Sequence, residues 1–339
     1  LLLSACSKID EPESLETIDS EAFDANQSFE AQIMSIPNNS LESVALVSAY
    51  SEIMAEVLTM SKDADFRNYI FQDAQEANAR DEDYVIDLNR MTKTLKTSSK
   101  FGKSSIKVEA MVAKFQDLSP DETPMVFFPK AETLEENRTA NKGYDVAKNL
   151  NEPIAVLKGA YNDDYSAPGY KLNAEGELVF DRMVTEEDAW ENSVYVIGMA
   201  EKFSTTPIAF PSDPYGGGGG GGSGGGGTPP SDNRTDGRAE YGGKIQVTDL
   251  NEIEHWFSGK LEFQIIVAGV QGSADTVISN RKFKKTKRKN FRDRKWHDFN
   301  HFIANWNKSN LGQWNVEKWI ERWWNSSRSQ YQYARSASY

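Results

Sequence analysis

The sequence predicts an α+β chain, with an N-terminal helical segment followed by a mainly antiparallel, sandwich-like β region. Three observations predict it. Leu46, Tyr50, Ile53, Val57 and Met60 recur at alternating steps of four and three, the spacing of one helix face. From residue 125 the pattern changes to short β-rich apolar runs, at 125–128, 154–157, 178–180 and 194–199, parted by turn-forming stretches such as YNDDYSAPGY and LNAEGE. Beyond a glycine tract the strand pattern resumes at 244–247 and 261–270, where Leu261, Phe263, Ile265 and Val267 alternate with Glu262 and Gln264 as on a half-buried strand. With 339 residues, 38% apolar and 11% aromatic, the chain can bury a sizeable core, and its length suggests two domains.

Taken in order, residues 1–6 (LLLSAC) read as the end of a longer apolar leader, since neither an initiator Met nor a basic segment precedes them. Leu3-Ser4-Ala5-Cys6 resembles the bacterial lipobox, in which small residues fit the signal peptidase and the thiol accepts the lipid. Cys6 is the only cysteine, which excludes a disulfide framework and makes lipidation its expected role. Several acyl chains anchor firmly where one anchors marginally. Ser7 stands where an aspartate would signal inner-membrane retention under the enterobacterial sorting rule. Lys8, Asp10, Glu11 and Glu13 resemble the acidic export tag of Bacteroidota surface lipoproteins. These residues imply an outer-membrane lipoprotein exposed at the cell surface. No apolar run approaches the roughly 20 residues of a spanning helix, so lipid is the expected attachment. Residues 7–38, rich in Glu, Asp, Ser and Asn, read as an acidic tether.

Residues 39–210 are expected to form a domain that is first helical and then β-rich. Asn39 with Glu42 predicts a capping box, and Val47, Met54 and Leu58 widen the first helical stripe into a core-facing face. Asp63 is expected to cap a second helix, on which Phe66, Ile70, Ala74 and Ala77 share a face. In the following ARDEDYVIDL, Asp81, Glu82, Asp83 and Asp87 offer oxygen ligands for calcium, but the turn glycine of a calcium loop is missing, so a solvated acidic turn is expected. Residues 211–237 (PSDPYGGGGGGGSGGGGTPPSDNRTDG) read as a Gly/Pro-rich linker or loop. Without a following Lys-Ser/Thr the tract is not a phosphate-cradling loop. A basic, Trp-rich β domain is expected over 238–321, with a helical turn near 250–256. Residues 322–339 contain no acid and read as a tail whose composition also fits a shifted reading frame, so no function is assigned to them.

DFRNYIFQDAQEANARDEDYVIDL, ENSVYVIGMAEKF, the Gly/Pro-rich tract and HFIANWNKSN, in that order, resemble a Flavobacteria-type lipoprotein family of the Bacteroidota, of unknown function. The likeness rests on patterns spread over most of the chain. It implies a lipid-anchored envelope protein and no particular activity.

The net charge of −13 conceals an asymmetry: residues 1–230 hold 39 acids and 19 bases, residues 231–339 hold 12 and 19. The densest feature is RKFKKTKRKNFRDRKW. Within it Arg281, Lys282, Lys284, Lys285, Lys287, Arg288, Lys289, Arg292, Arg294 and Lys295 create a positive field, interleaved with Phe283 and Phe291 and adjoined by Trp296. Such a strip attracts phosphates, sulfated glycans or acidic lipids. The envelope address points to lipopolysaccharide or acidic polysaccharide as partner and disfavours nucleic acid, for which the chemistry alone would serve. The competing expectation is a basic hairpin docked on the chain's own acidic residues. Six of the eight tryptophans lie between Trp296 and Trp324, and either sugar stacking outside or core packing inside would use them.

Enzyme chemistry has few handles. No G-x-S-x-G occurs, and the single cysteine is committed to lipid. His297 and His301 frame WHDFNH, with His255 upstream; on a helix the pair would share a zinc ion, and on a strand it would stand about 13 Å apart. The glutamate of H-E-x-x-H is missing. No cofactor motif is present. The expected role is binding or structural in the envelope, and the alternative is a hydrolase of envelope polymers, metal-dependent through these histidines.

Overall fold

The computed structural model describes residues 27–41, 43–80, 83–120, 122–199, 236–241, 244–253, 255–271, 274–283, 285–298, 302–305, 316–321 and 333–335. Its helices are Phe29–Met34 (α1), Val44–Ser61 (α2), Ala64–Ala79 (α3), Leu88–Leu95 (α4), Gly102–Leu118 (α5), Lys130–Ala140 (α6), Glu186–Glu191 (α7) and Leu250–Ile253 (α8). The strands of its first half are Asn38–Asn39 (β1), Val85–Asp87 (β2), Pro124–Phe127 (β3), Ile154–Leu157 (β4), Ala160–Tyr161 (β5), Ala167–Leu172 (β6), Leu178–Val184 (β7) and Val194–Met199 (β8). Those of its second half are Ala239–Tyr241 (β9), Lys244–Gln246 (β10), Phe263–Gln271 (β11), Ala274–Lys282 (β12), Trp296–Asp298 (β13), Phe302–Asn305 (β14), Val316–Glu321 (β15) and Tyr333–Arg335 (β16). The chain is α+β, with an N-terminal helical region followed by sheet. Two compact units divide it. One draws on Leu1–Asn68, Leu88–Asp121 and Asp145–Gly198, the other on Tyr69–Asp87, Glu122–Tyr144 and Met199–Tyr339.

In the first unit the expected stripe becomes the buried face of α2: Tyr50, Ile53, Val57 and Met60 are buried and Leu46 half-buried. The cap differs from expectation. Ser43 starts the helix, its hydroxyl accepting from the Leu46 N–H at 3.2 Å, while the Asn39 side chain accepts from Leu41 N–H and its backbone pairs with Ala160. Glu42 lies outside the described residues. By length and composition α2 is apolar enough to cross a membrane, with mean hydropathy 1.2 over 18 residues, but 56% of it is buried inside the fold, as in a core helix. Its packing partner is α5, which runs antiparallel to it, as the Tyr50–Phe115 ring contact and the Glu52–Lys114 and Glu56–Lys107 ion pairs show.

The sheet of this unit follows the order β8-β4-β6-β7, with β4 and β8 parallel and the β4–β6 and β6–β7 pairs antiparallel. At the irregularity in β6, a Cβ on Gly169 would come within 2.7 Å of Val184 Cγ2 and 2.9 Å of Ile154 Cδ1. Only glycine admits this close approach.

In the second unit β2 and β3 form an antiparallel pair preceding α6, and β12-β11-β15-β16 form an antiparallel sheet. On β11 the sequence alternation is only half obeyed. Phe263 and Ile265 are buried as expected, but Gln264 is also just 3% exposed and Ile266 is buried, so this stretch is covered on both faces. Val247, Leu261, Phe263, Ile265, Phe283 and Phe291 form the local core.

Candidate functional site

The site grows from a turn in the second unit. Asp83 and Tyr84 both take the left-handed backbone conformation, with φ of 59° and 74°. Asp tolerates that region better than most residues, because its short side chain satisfies itself locally. The turn is tied down by the Phe128 N–H, which donates to the Tyr84 carbonyl, and Gly259, at φ 91°, brings its backbone against the Asp83 side chain.

Two lysines converge on the Asp83 carboxylate. Lys260 Nζ lies 3.3 Å from Oδ1, and Lys285 Nζ lies 3.2 Å from Oδ2 and 2.7 Å from Glu262 Oε1. Lys260 also donates to Asn78 Oδ1 at 2.6 Å and stands 5.3 Å from the Tyr84 ring, while the Tyr84 hydroxyl donates to Glu135 Oε2 at 3.0 Å. Asp83 is only 5% exposed, and ammonium groups occupy the oxygens that a calcium ion would need. Asp81 and Glu82 lie outside the described residues.

The next layer belongs to α6. Glu132 and Glu136 are one turn apart and share a face. Lys287 Nζ bridges them, at 2.7 Å from Glu132 Oε1 and 2.8 Å from Glu136 Oε1, and Lys289 also pairs with Glu136. The segment is held by a two-way backbone exchange between Leu261 and Thr286 at 2.9 Å each. Between the paired lysines Arg288 turns inward: it is 1% exposed, and its Nη2 donates to Asn251 Oδ1 at 3.0 Å.

The basic run therefore divides. Lys285, Lys287 and Lys289 meet the unit's own carboxylates, and Arg288 is interior. Phe291, buried against Phe263, then redirects the chain through two short 3-10 turns. Arg292 is half-buried, while Arg294, at φ 54°, and Lys295 are exposed. Trp296 follows at 60% exposure. Arg281 and Lys282 lie in β12 opposite Ile265 and Gln264. Cys6, Lys284 and His301 lie outside the described residues, as do the first 26 positions and nearly all of the glycine tract.

His297 lies in β13 opposite Ile245, half-buried, with its ring 5.2 Å from that of Phe291. His255 precedes the Trp256–Ser258 turn, where its Nδ1 accepts from the Phe257 N–H at 3.3 Å and its ring lies 3.9 Å from that of Phe257. The period left open by the sequence is thus a strand at His297. Among the described residues no group of three or more His, Cys, Asp or Glu is placed to hold a metal.

Electrostatics follow from burial and pairing. Desolvation pushes the Asp83 carboxyl up, against the pull of Lys285 and Lys260. Burial works against the Lys285 ammonium, yet Asp83 and Glu262 hold it above the ordinary lysine range. These two directions oppose each other, because an ionised Asp83 is what sustains Lys285. The geometry supports the charged pair: two ammonium groups within 3.3 Å keep a carboxylate ionised. Burial of Glu136 is outweighed by Lys287 and Lys289, which bring its carboxyl below the usual range, and Lys287 is raised by Glu132 and Glu136 despite its own burial.

A pH window follows. The depressed Glu136 contributes stability that is present above its unfolded pKa and lost as pH falls through the folded one; the raised Lys287 contributes below its unfolded pKa and loses it as pH rises through the folded one. Docking of 285–289 is therefore strongest between about pH 4.3 and 10.4, the ordinary glutamate and lysine values. Amide hydrogen exchange over this segment, corrected for intrinsic rates, should show weaker protection at roughly pH 3 than at neutrality. Equal protection at both would mean that the ion pairs do not hold the segment.

The acidic partners were the part that sequence reading missed. Glu132, Glu135 and Glu136 stand in a charge-rich AETLEENRTA, whose i, i+4 spacing was the available signal. No protein-family model, curated protein or solved structure matches this chain.

Proposed function

We propose that the protein is a lipid-anchored component of the outer envelope that binds anionic glycan, lipopolysaccharide or acidic polysaccharide, through the outward part of its basic run. The observation that carries this reading is the exposed Trp296 directly after the exposed Arg294 and Lys295. An aromatic face accepts the C–H face of a sugar ring, and adjacent cations supply charge-assisted hydrogen bonds to its acidic groups. The lysines paired to carboxylates have a different task. Their carboxylate partners neutralise them at short range, so they stabilise the unit and contribute little field outside it. Lipidation at Cys6 supplies the attachment in this reading.

The test is capture of the soluble chain on immobilised lipopolysaccharide and on acidic polysaccharide at rising salt. Arg294→Gln with Lys295→Gln should abolish most of the capture at low salt and flatten its salt dependence, because exposed charges act through a field that salt screens. Capture unchanged in that variant would reject the outward row as the binding surface.

A further inference from the structure

We propose that Lys130, in the opening turn of α6, is a nucleophilic amine that captures small aldehydes as a reversible imine. The proposal is independent of the glycan reading and uses none of the residues on which that reading stands.

Lys130 is the first residue of α6, and the chain reaches it through Phe128 and Pro129. Pro129 holds φ at −54° with ψ at −44°, which presets the helical path before the first turn. That turn closes on its own backbone. The Ala131 N–H donates to the Phe128 carbonyl and the Glu132 N–H to that of Pro129, both at 3.1 Å. Leu134, one turn on and on the same side of the helix, is 1% exposed, and Phe127, Phe128 and Ala131 are buried as well. The face that carries Lys130 is therefore an inward one, and Lys130 itself is only 8% exposed.

A buried lysine is ordinarily paired, and this one is not. Lys260, Lys285, Lys287 and Lys289 take carboxylates of the unit, including Glu132 and Glu136 of α6 itself. Among the described residues none accepts a hydrogen bond from Lys130 Nζ or pairs with it. Two effects then act on the amine in one direction, with no carboxylate to oppose them. Desolvation disfavours the ammonium and brings its pKa below the ordinary lysine range. The partial positive charge at a helix N-terminus disfavours a cation there too. The neutral fraction is raised accordingly, and a neutral amine with a free lone pair is the form that attacks carbonyl carbon. Nζ is not one of the enclosed polar atoms, so solvent reaches it at the end of a buried stem. Such access suits a small electrophile.

The chemistry is a condensation. The amine nitrogen adds to the aldehyde carbon, the carbonyl oxygen leaves as water with both amine hydrogens, and a C=N bond replaces C=O. Neither an oxidant nor a reductant is consumed, and water reverses the step.

The experiment treats the folded soluble chain with acetaldehyde and cyanoborohydride, whose hydride fixes the imine as a stable ethylamine, and reads each lysine by peptide mass spectrometry. Near neutral pH Lys130 should label faster than Lys62 and Lys93, both exposed. The pH midpoint of its labelling should lie lower in the folded chain than in denaturant, where its lead over the other two should vanish. Lys130→Met, which keeps an apolar stem, should lose the fastest-labelled site and leave the remaining lysines unchanged, with thermal unfolding as the control for folding. Labelling of Lys130 no faster than that of Lys62 and Lys93 in the folded chain overturns the proposal. A lead that persists in denaturant overturns it as well, because the folded surroundings would then not be its source.

Discussion

Asp83→Asn should destabilise the second unit by about 3–5 kcal/mol, the usual cost of removing one partner from a buried ion pair. The substitution isolates charge from shape. Asparagine is nearly isosteric and tolerates the left-handed backbone that Asp83 adopts, so neither a cavity nor backbone strain enters. What remains is an uncompensated ammonium at Lys260, left with Asn78 and the Tyr84 ring, and a Lys285 that has lost one of its carboxylates and keeps Glu262. Denaturant unfolding measures the loss. A second variant, Lys285→Met, allows a double-mutant cycle: the combined loss should fall short of the sum, because the two side chains form one interaction. A loss below about 1 kcal/mol, or strict additivity, would show that the network around Asp83 does not hold the unit together.

The second large effect separates two tryptophans. Trp256→Ala should cost about 3–5 kcal/mol, because its side chain is fully buried and packs at 4.2 Å between ring centroids on Phe257. Trp296→Ala should change stability by no more than about 0.5 kcal/mol, as surface substitutions do, while weakening glycan binding. The same residue type thus serves the core at one position and a ligand at the other. Thermal unfolding together with capture on acidic polysaccharide reads both effects. Comparable destabilisation by the two variants would make Trp296 a structural residue and remove the observation on which the proposed function stands.

Much of the fold was legible in the sequence because helix and strand periods are local. Tyr50, Ile53, Val57 and Met60 announced the buried face of α2, and Phe66, Ile70, Ala74 and Ala77 that of α3, all of them fully or almost fully buried. The strands β3, β4, β7, β8, β10 and β11 appeared close to where short apolar runs put them. Helices α5 and α6 were not anticipated. On α5 only Ser105, Val108, Val112 and Phe115 are buried, a narrow stripe diluted by lysines and by the exposed Ile106 and Leu118. On α6 the apolar contribution is Ala131 and Leu134, and the buried face is completed by charged Lys130 and Glu132. A hydrophobic pattern cannot mark a helix that buries carboxylates, because those become favourable inside only once their cations arrive from elsewhere.

By itself the sequence determined the α+β class, the spacing of the core positions, the acidic-to-basic asymmetry and the concentration of cations between 281 and 295. Each is a property of neighbours along the chain, set by residue type and by the fixed periods of helix and strand. Only the tertiary structure decided which cations turn inward. Lys285 meets Asp83 across 202 positions and Lys287 meets Glu136 across 151, while Arg294 and Lys295, a few residues further on, face water beside Trp296. Coulomb attraction and desolvation depend on separation in space and on burial, and the folded path, not the order of residues, sets both.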